Sequence, residues 1–505
     1  MADPTVAAHA LSDALPFRAR HLIGGRWCDS HDGAETERRS PAHDVAVSIA
    51  AGGGRAEAEA AIAAARAAFD DGRWSDRTGQ ARAALLLDVA AGIEARADAL
   101  ARIETLESGK PITQAQAEIM GAADLWRHAA SLARVLHGDS VNTLGRDMLG
   151  LTLKEPRGVI SLITPWNFPF LIVSQKLPYA LAAGCCCVVK PSELTPSSTV
   201  MLGEILMEAG CPDGVVNIVL GEGDPVGMVL TADPRVDMVS FTGSTAVGRQ
   251  IAATAGQGLK KVALELGGKN PQVVFADADL DAAADAIVFG ACFNAGECCN
   301  AGSRVLVEAP VAEALTARIV DLTRNVRTGD PLDPATQVGA IITPAQCRRI
   351  DAHVAAARAE GAEIALGGAP LSLPGLAGQF YAPTVVTGLQ PDMPIARDEV
   401  FGPVLAMLPF RGLDAAVALA NATAYGLSAG VWSENVHRCL AFARRVRAGT
   451  VWTNSWMDGF AELPFGGMKD SGLGRELGRT GIEEYLELKT LTMRIGATRP
   501  AWVAP

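Results

Sequence analysis

The spacing of apolar and charged positions changes near residue 158. Before it, RAEAEAAIAAARAAFD (55–70) and the stretch 81–106 set charges at helical spacing in an Ala/Leu background, which predicts amphipathic surface helices. From 158 the apolar residues come in short unbroken runs. GVISLIT, CCCVVK, VVNIVL, DMVSF and KKVALEL predict strands. Between them lie a helical stretch from about Leu171, then PSSTVMLGEILMEAG, a short helix, and STAVGRQIAATAG. This alternation implies a parallel sheet with crossover helices, and unbroken apolar strands imply that both faces are covered.

A second alternating series follows Gly267-Gly268. It opens with PQVVFA, DAAADAIVFGACFNAG, RVLVE and VAEALTARIVDLTRNV, and continues with PTVVTGL, VLAMLPF, GVWS and TVWTN. Two strand-like segments, 139–155 and 486–495, belong to neither series. Their alternatives are a separate pairing element or edge strands of the parent sheet.

With 505 residues the chain is too long for one ordinary core, so two domains are expected. A net charge of −12 argues against nucleic-acid binding, which needs a basic face. Ten cysteines include the runs Cys185–Cys187 and Cys298–Cys299, and neighbours do not readily bridge each other. Reduced thiols in a cytoplasmic setting are therefore expected. The first 20 residues carry Asp3 and Asp13 and do not read as a signal peptide. The uncharged run Gly158–Gln175 is nearly long enough to span a membrane, but Pro165, Asn167 and Pro169 interrupt it. We read it as a buried strand followed by a functional turn.

The eight histidines form no H-x-x-x-H pair and the cysteines no C-x-x-C pair, so no metal site is expected. No G-x-S-x-G anchors a serine nucleophile, and KPSE (190–193) lacks the glycines of a phosphate loop. Gly221, Gly223 and Gly227 miss the dinucleotide fingerprint by one residue. FTGSTAVG is better placed: Gly243, Ser244 and Gly248 lie where a strand hands over to a helix, a setting for either a phosphate or an ordinary Ser cap. Cys299 lies in a Gly-flanked break, FNAGECCNAGSR, and Glu265 ends an apolar strand before Gly-Gly. A thiol nucleophile with a carboxylate base is one reading, and a buried small hydrophobe beside a solvated charge is the other.

Seven segments, in order, carry a family resemblance: TPWNFPF (164–170), KPSE (190–193), FTGSTAVG (241–248), LELGGKNP (264–271), FNAGECCNAGSR (293–304), EVFGPV (399–404) and PFGGMKDSGLGRELG (464–478). The chain resembles the NAD(P)-dependent aldehyde dehydrogenase superfamily from about residue 20 to 497. The 34 residues from Glu265 to Cys299 agree with it, and G-E-C-C stands where many members have G-Q-x-C.

The resemblance implies an α/β fold of two doubly wound parallel domains and a small β oligomerisation element. Residues 1–138 and 156–266 would bind NAD, 267–470 would form the catalytic domain, and 139–155 with 486–497 the oligomerisation element. It implies Cys299 as nucleophile, Glu265 as the base that activates water, Asn167 as oxyanion donor, and Glu476 on the proton exit path. It places Lys190, Ser192 and Glu193 at the adenosine ribose. Gly243, Ser244 and Gly248 would meet the pyrophosphate, Thr164, Pro165 and Trp166 would line the cofactor, and Glu399 and Phe401 would contact the nicotinamide ribose. Phe168, Gln175, Phe293, Trp456 and Phe465 would wall the substrate. The cofactor is expected to be NAD in preference to NADP, and the assembly a homodimer or homotetramer.

The substrate expectation is an aldehyde of medium size, with aminoaldehydes or betaine aldehyde favoured. Aromatic walls suit a cation, and Asp458, Glu462, Glu118 and Asp124 are expected to add negative charge near the mouth. Broad aliphatic or aromatic specificity, a CoA-acylating semialdehyde dehydrogenase and a non-catalytic member of the fold are the alternatives. Glu265 speaks against the CoA-acylating reading, and Cys299, Glu265 and Asn167 together against the non-catalytic one.

Overall fold

The computed structural model describes residues 15–496 together with 502 and 503. Most of the N-terminal segment read for a leader, and residue 497, lie outside the described residues.

Five strands of the first predicted series form as expected: β1 (Val159–Ile163), β2 (Cys186–Lys190), β3 (Val216–Ile218), β4 (Met238–Thr242) and β5 (Lys261–Glu265). They run parallel in the order β5-β4-β1-β2-β3. The chain thus winds outward from β1 through β2 and β3, then crosses back to β4 and β5. That reversal opens a crevice at the carboxyl ends of β1 and β4, where ligands of doubly wound sheets bind. The sheet is extended to eight strands by pieces that periodicity did not reveal: His21–Ile23 and Arg26–Cys28 beyond β3, and Gly472–Leu473 beyond β5.

The second series gives β6 (Pro271–Val274), β7 (Arg304–Glu308), β8 (Thr384–Thr387), β9 (Val404–Phe410), β10 (Ser428–Trp432) and β11 (Thr450–Thr453). All six run parallel, and Glu363–Leu366 closes one edge antiparallel. Because β5 ends at Glu265 and β6 begins at Pro271, the amino ends of the second sheet face the carboxyl end of the first.

Each sheet has its own apolar core. The chain returns to the first after leaving the second: Leu477, Ile482 and Tyr485 pack into the β1–β5 core. The two unassigned segments pair with each other. Met148–Pro156 and Leu486–Arg494 run antiparallel over nine residue pairs, and Ser140–Val141 adds a third strand. They are therefore a separate sheet and not edges of the parent.

One expectation is corrected. The stretch 81–106 is two helices, Gly79–Ala95 and Ala97–Ser108, broken at Arg96 (φ −115°, ψ 14°). No Gly or Pro marks the break. The Arg96 guanidinium instead reaches Glu208 on a neighbouring helix, at 2.5 Å. The helix Ile112–Ala133, which carries Glu118 and Asp124 as expected, borders the site through Gln114.

Candidate active site

The crevice at β1 and β4 is where the predicted residues meet. Pro165, Trp166 and Asn167 follow β1, Thr242, Gly243 and Ser244 follow β4, and Glu265 ends β5. Cys299 enters from the second sheet, five residues before β7, and Glu399 and Phe401 close the far wall.

The thiol is presented by a strained turn. Asn294 (φ 49°), Ala295 (φ 54°) and Gly296 (φ 71°) are all left-handed, a conformation that costs side-chain-bearing residues free energy. Asn294 holds the turn by donating from Nδ2 to the backbone oxygens of Asn167 (3.0 Å) and Glu297 (3.2 Å). Asn270 Nδ2 donates to the Cys299 carbonyl at 2.7 Å. Cys298 is buried, while Cys299 is partly exposed. A hydrogen bond to Cys298, followed by burial, holds the Cys299 thiol well above the ordinary range.

Asn167 Nδ2 donates to the Glu297 carbonyl at 2.9 Å. An amide nitrogen carries two hydrogens, so one such bond fixes the side chain and leaves a second N–H to offer. Glu265 is buried, and its Oε2 has no protein partner. Burial first, and then the charge of Glu476, hold its carboxyl well above the usual carboxylate range, with Lys176 opposing. A Cβ on Gly466 would come within 2.6 Å of Glu265 Oε1, so only glycine leaves room for the carboxylate. Glu476 lies behind Glu265, bonded by Lys176 Nζ (2.6 Å) and Ser240 Oγ (3.2 Å).

The other expected positions divide. Trp166 and Phe401 meet edge to face, with ring centroids 5.5 Å apart. Glu399 Oε1 accepts the Gly268 N–H at 2.9 Å, and burial pushes its carboxyl up to about 7. Ser244 caps the helix Thr245–Gln257, so that helix aims its amino end into the crevice. Gly248 packs against Leu266 with no space for a Cβ. Thr164 bonds its backbone N–H to the Lys190 oxygen, and its own hydroxyl is buried without a protein partner. Ser192 and Glu193 line a separate hollow beyond β2, with Lys190 Nζ 3.9 Å from Glu193. Carboxylates at two stations and a helix amino end between them fit the hydroxyls and phosphates of a dinucleotide. Periodicity missed Gln346 and Arg349, which also line the crevice from the helix Pro344–Ala359.

Among the substrate positions, Phe168 and Phe293 stack (5.9 Å, 18°) beside Cys298. Trp456 is buried against Gly290, Gly430 and Trp452. Phe465 lines a distinct apolar hollow with Asp458 and Phe460, and Gln175 is half-buried on the helix Pro169–Ala183. One expected charge does not reach the mouth. Glu118 is buried in contact with Lys110, and burial pushes its carboxyl up to about 8. One face of Phe168 is likewise occupied, by Lys110 Nζ at 4.4 Å.

The model described as the aldehyde dehydrogenase family matches residues 27–491. The chain belongs to that family. This aldehyde dehydrogenase is an NAD(P)-dependent oxidoreductase that oxidises aldehyde groups through an active-site cysteine. It is 39% identical to a betaine aldehyde dehydrogenase of Bacillus subtilis over 483 residues, covering 95% of this chain and 98% of the relative. An NAD-dependent aldehyde dehydrogenase from Sinorhizobium meliloti has the same fold, with a TM-score of 0.95, 49% identity and 97% coverage of both chains. A betaine aldehyde dehydrogenase from Staphylococcus aureus, solved in complex with NAD+, gives 0.95 at 36% identity, with 99% of each chain covered. The fold is of the NAD-binding kind. Among the described residues, no helix is long and apolar enough to cross a membrane, and no group of three or more His, Cys, Asp or Glu could hold a metal ion.

Proposed function

We propose that the enzyme oxidises a medium-sized aldehyde, with a cationic aminoaldehyde or betaine aldehyde preferred, to its carboxylic acid, using NAD+. The observation that carries the chemistry is the convergence of Cys299, Glu265 and Asn167 in one crevice with Glu399 and Phe401. Cys299 loses its Sγ proton to water in the crevice and adds as the thiolate to the aldehyde carbon, and the charge on oxygen is met by Asn167 Nδ2 and the Cys299 N–H. Bound NAD+ supplies the hydride acceptor. Departure of hydride leaves a thioester on Cys299. Glu265 takes a proton from water, the water hydrolyses the thioester, and Glu476 with Lys176 gives that proton an onward route.

Residues 156–266 with the N-terminal part are assigned to cofactor binding. Glu193, Lys190 and Ser192 hold the adenosine ribose, Gly243, Ser244 and Gly248 the phosphates, and Glu399 and Phe401 the nicotinamide ribose. Residues 267–470 are assigned to catalysis. The cationic preference is supported by Asp458 beside the apolar hollow and by the names of two relatives above. Broad specificity is favoured instead by the Lys110 ammonium against Phe168, which takes a ring face from any substrate cation. A homodimer or homotetramer is supported by the small sheet, whose Leu488 is 72% exposed. A cytoplasmic location is supported by ten free thiols.

The test is NADH production from 3-aminopropanal, betaine aldehyde, hexanal and benzaldehyde at one pH, with and without CoA. A higher kcat/KM for either cationic aldehyde is expected, with no need for CoA. Preference for hexanal or benzaldehyde over both overturns the substrate, and a CoA requirement overturns the deacylation.

A further inference from the structure

The helix Pro169–Ala183 begins directly after the oxyanion turn, and its N-cap position is Phe168, which has no side-chain acceptor. The first N–H groups of a helix lack intrahelical partners and need an acceptor from elsewhere. Here the acceptor is remote. Glu104 Oε2 takes the Phe170 N–H at 3.3 Å, from the helix Ala97–Ser108. Glu104 is fully buried, and its other oxygen holds Lys110 Nζ at 3.0 Å. Lys110 in turn contacts Glu118 and lies over the Phe168 ring at 4.4 Å. The residues on either side of Pro169 are thus gripped by one buried charged cluster. The same stretch of chain reaches the thiol turn, because Gln114 Oε1 accepts the Asn294 N–H at 3.0 Å.

We propose that Glu104 is a positioning residue for the oxyanion step: as the remote cap of the helix Pro169–Ala183 it fixes where Asn167 Nδ2 stands relative to Cys299, and Lys110 holds Glu104 in place. A carboxylate suits this task because it accepts strongly from an N–H and sits favourably at a helix amino end. The cluster accounts for charges buried in a region where an apolar filling would pack as well. The proposal rests on the reading of Asn167 as oxyanion donor.

The test compares Glu104→Gln with Glu104→Leu in the full-length enzyme. Both remove the same charge and leave Lys110 with Glu118, but only Gln keeps an acceptor for the Phe170 N–H. Glu104→Gln is expected to stay within about threefold of the parent kcat, and Glu104→Leu to lose about tenfold or more with little change in aldehyde KM. The deciding readout is a cycle with Asn167→Ala. Residues that act through one another are not additive. Glu104→Leu should therefore cost little once Asn167 is already Ala. Equal kcat for Gln and Leu, or a full tenfold further loss in the Asn167→Ala background, overturns the proposal. If Asn167→Ala alone keeps full activity, the oxyanion reading has failed instead. Should Glu104→Leu not fold, Glu104→Met, unbranched like Glu and without an oxygen acceptor, takes its place in the same cycle.

Discussion

Lys176 Nζ lies 2.6 Å from Glu476 Oε1, and neither side chain is more than 2% exposed. The pair sits behind Glu265, whose carboxyl Lys176 lowers and Glu476 raises. A base must be ionised to take a proton from water. Lys176→Met removes the cation that favours ionisation, so the acid limb of the kcat profile should move to higher pH. The displacement should be on the order of one unit, the usual effect of one nearby charge. Activity should fall at neutral pH and recover above it. An unmoved limb in a folded Lys176→Met protein contradicts the coupling.

The two half-reactions should separate. Cys299→Ala is expected to abolish NADH formation, and Cys298→Ser to keep most of it. Asn167→Ala should lose about 10²–10³ in kcat, the usual effect of one oxyanion donor. Glu265→Gln should give a single burst of NADH without steady turnover, since hydride leaves before water is needed. Rapid-mixing absorbance resolves all four. An active Cys299→Ala with an inactive Cys298→Ser reverses the nucleophile assignment.

Cofactor choice should follow Glu193. Its carboxylate is 43% exposed and would meet a 2′-phosphate as a like charge. Lys190, 3.9 Å away, softens the repulsion. A higher kcat/KM with NAD than with NADP is expected, and Glu193→Ser should narrow the ratio by about tenfold, about 1.4 kcal/mol. Equal use of both cofactors by the parent enzyme is the contrary result.

Gly296→Ala should damage both stability and rate. At φ 71° a side chain is strained, and the added Cβ would stand 2.2 Å from the Gly402 carbonyl. Strain of this kind costs about 1–3 kcal/mol before the clash is counted. Thermal unfolding should shift down, and alkylation of Cys299 by iodoacetamide should change rate as the turn moves. Parent-like values in both measurements count against a tightly held turn.

The two winding series were legible because parallel strands buried on both faces read as unbroken apolar runs, as in CCCVVK and VLAMLPF. The short strands His21–Ile23 and Arg26–Cys28 were not, since three residues carry no period. Arg96 broke a helix without Gly or Pro to announce it. At the site, motif resemblance pointed to Cys299, Glu265 and Asn167, and the fold brings all three to one crevice. What holds them was hidden. Lys176 and Glu104 sit inside helical sequence and Lys110 lies between Gly109 and Pro111 in the turn between two helices, settings where a charged residue reads as surface. Glu118 was read as a charge at the mouth for the same reason. Their burial depends on partners far along the chain, which no local pattern records.

The crevice draws its parts from two separately cored sheets, and this division makes the enzyme modular for engineering. The residues proposed for the adenosine end, Lys190, Ser192 and Glu193, lie at the carboxyl end of β2 and in the hollow beyond it, while the thiol turn is anchored by Asn270, ahead of β6, and Asn294, ahead of β7. A redesign of nucleotide preference can therefore be confined to residues 190–193 without disturbing the acyl chemistry. A change of leaving group or acceptor can be built around Cys299 and Glu265 while the nucleotide grip is kept. Gly267 and Gly268 belong to both tasks, because added side chains there would strike Glu399 and the Cys299 carbonyl respectively.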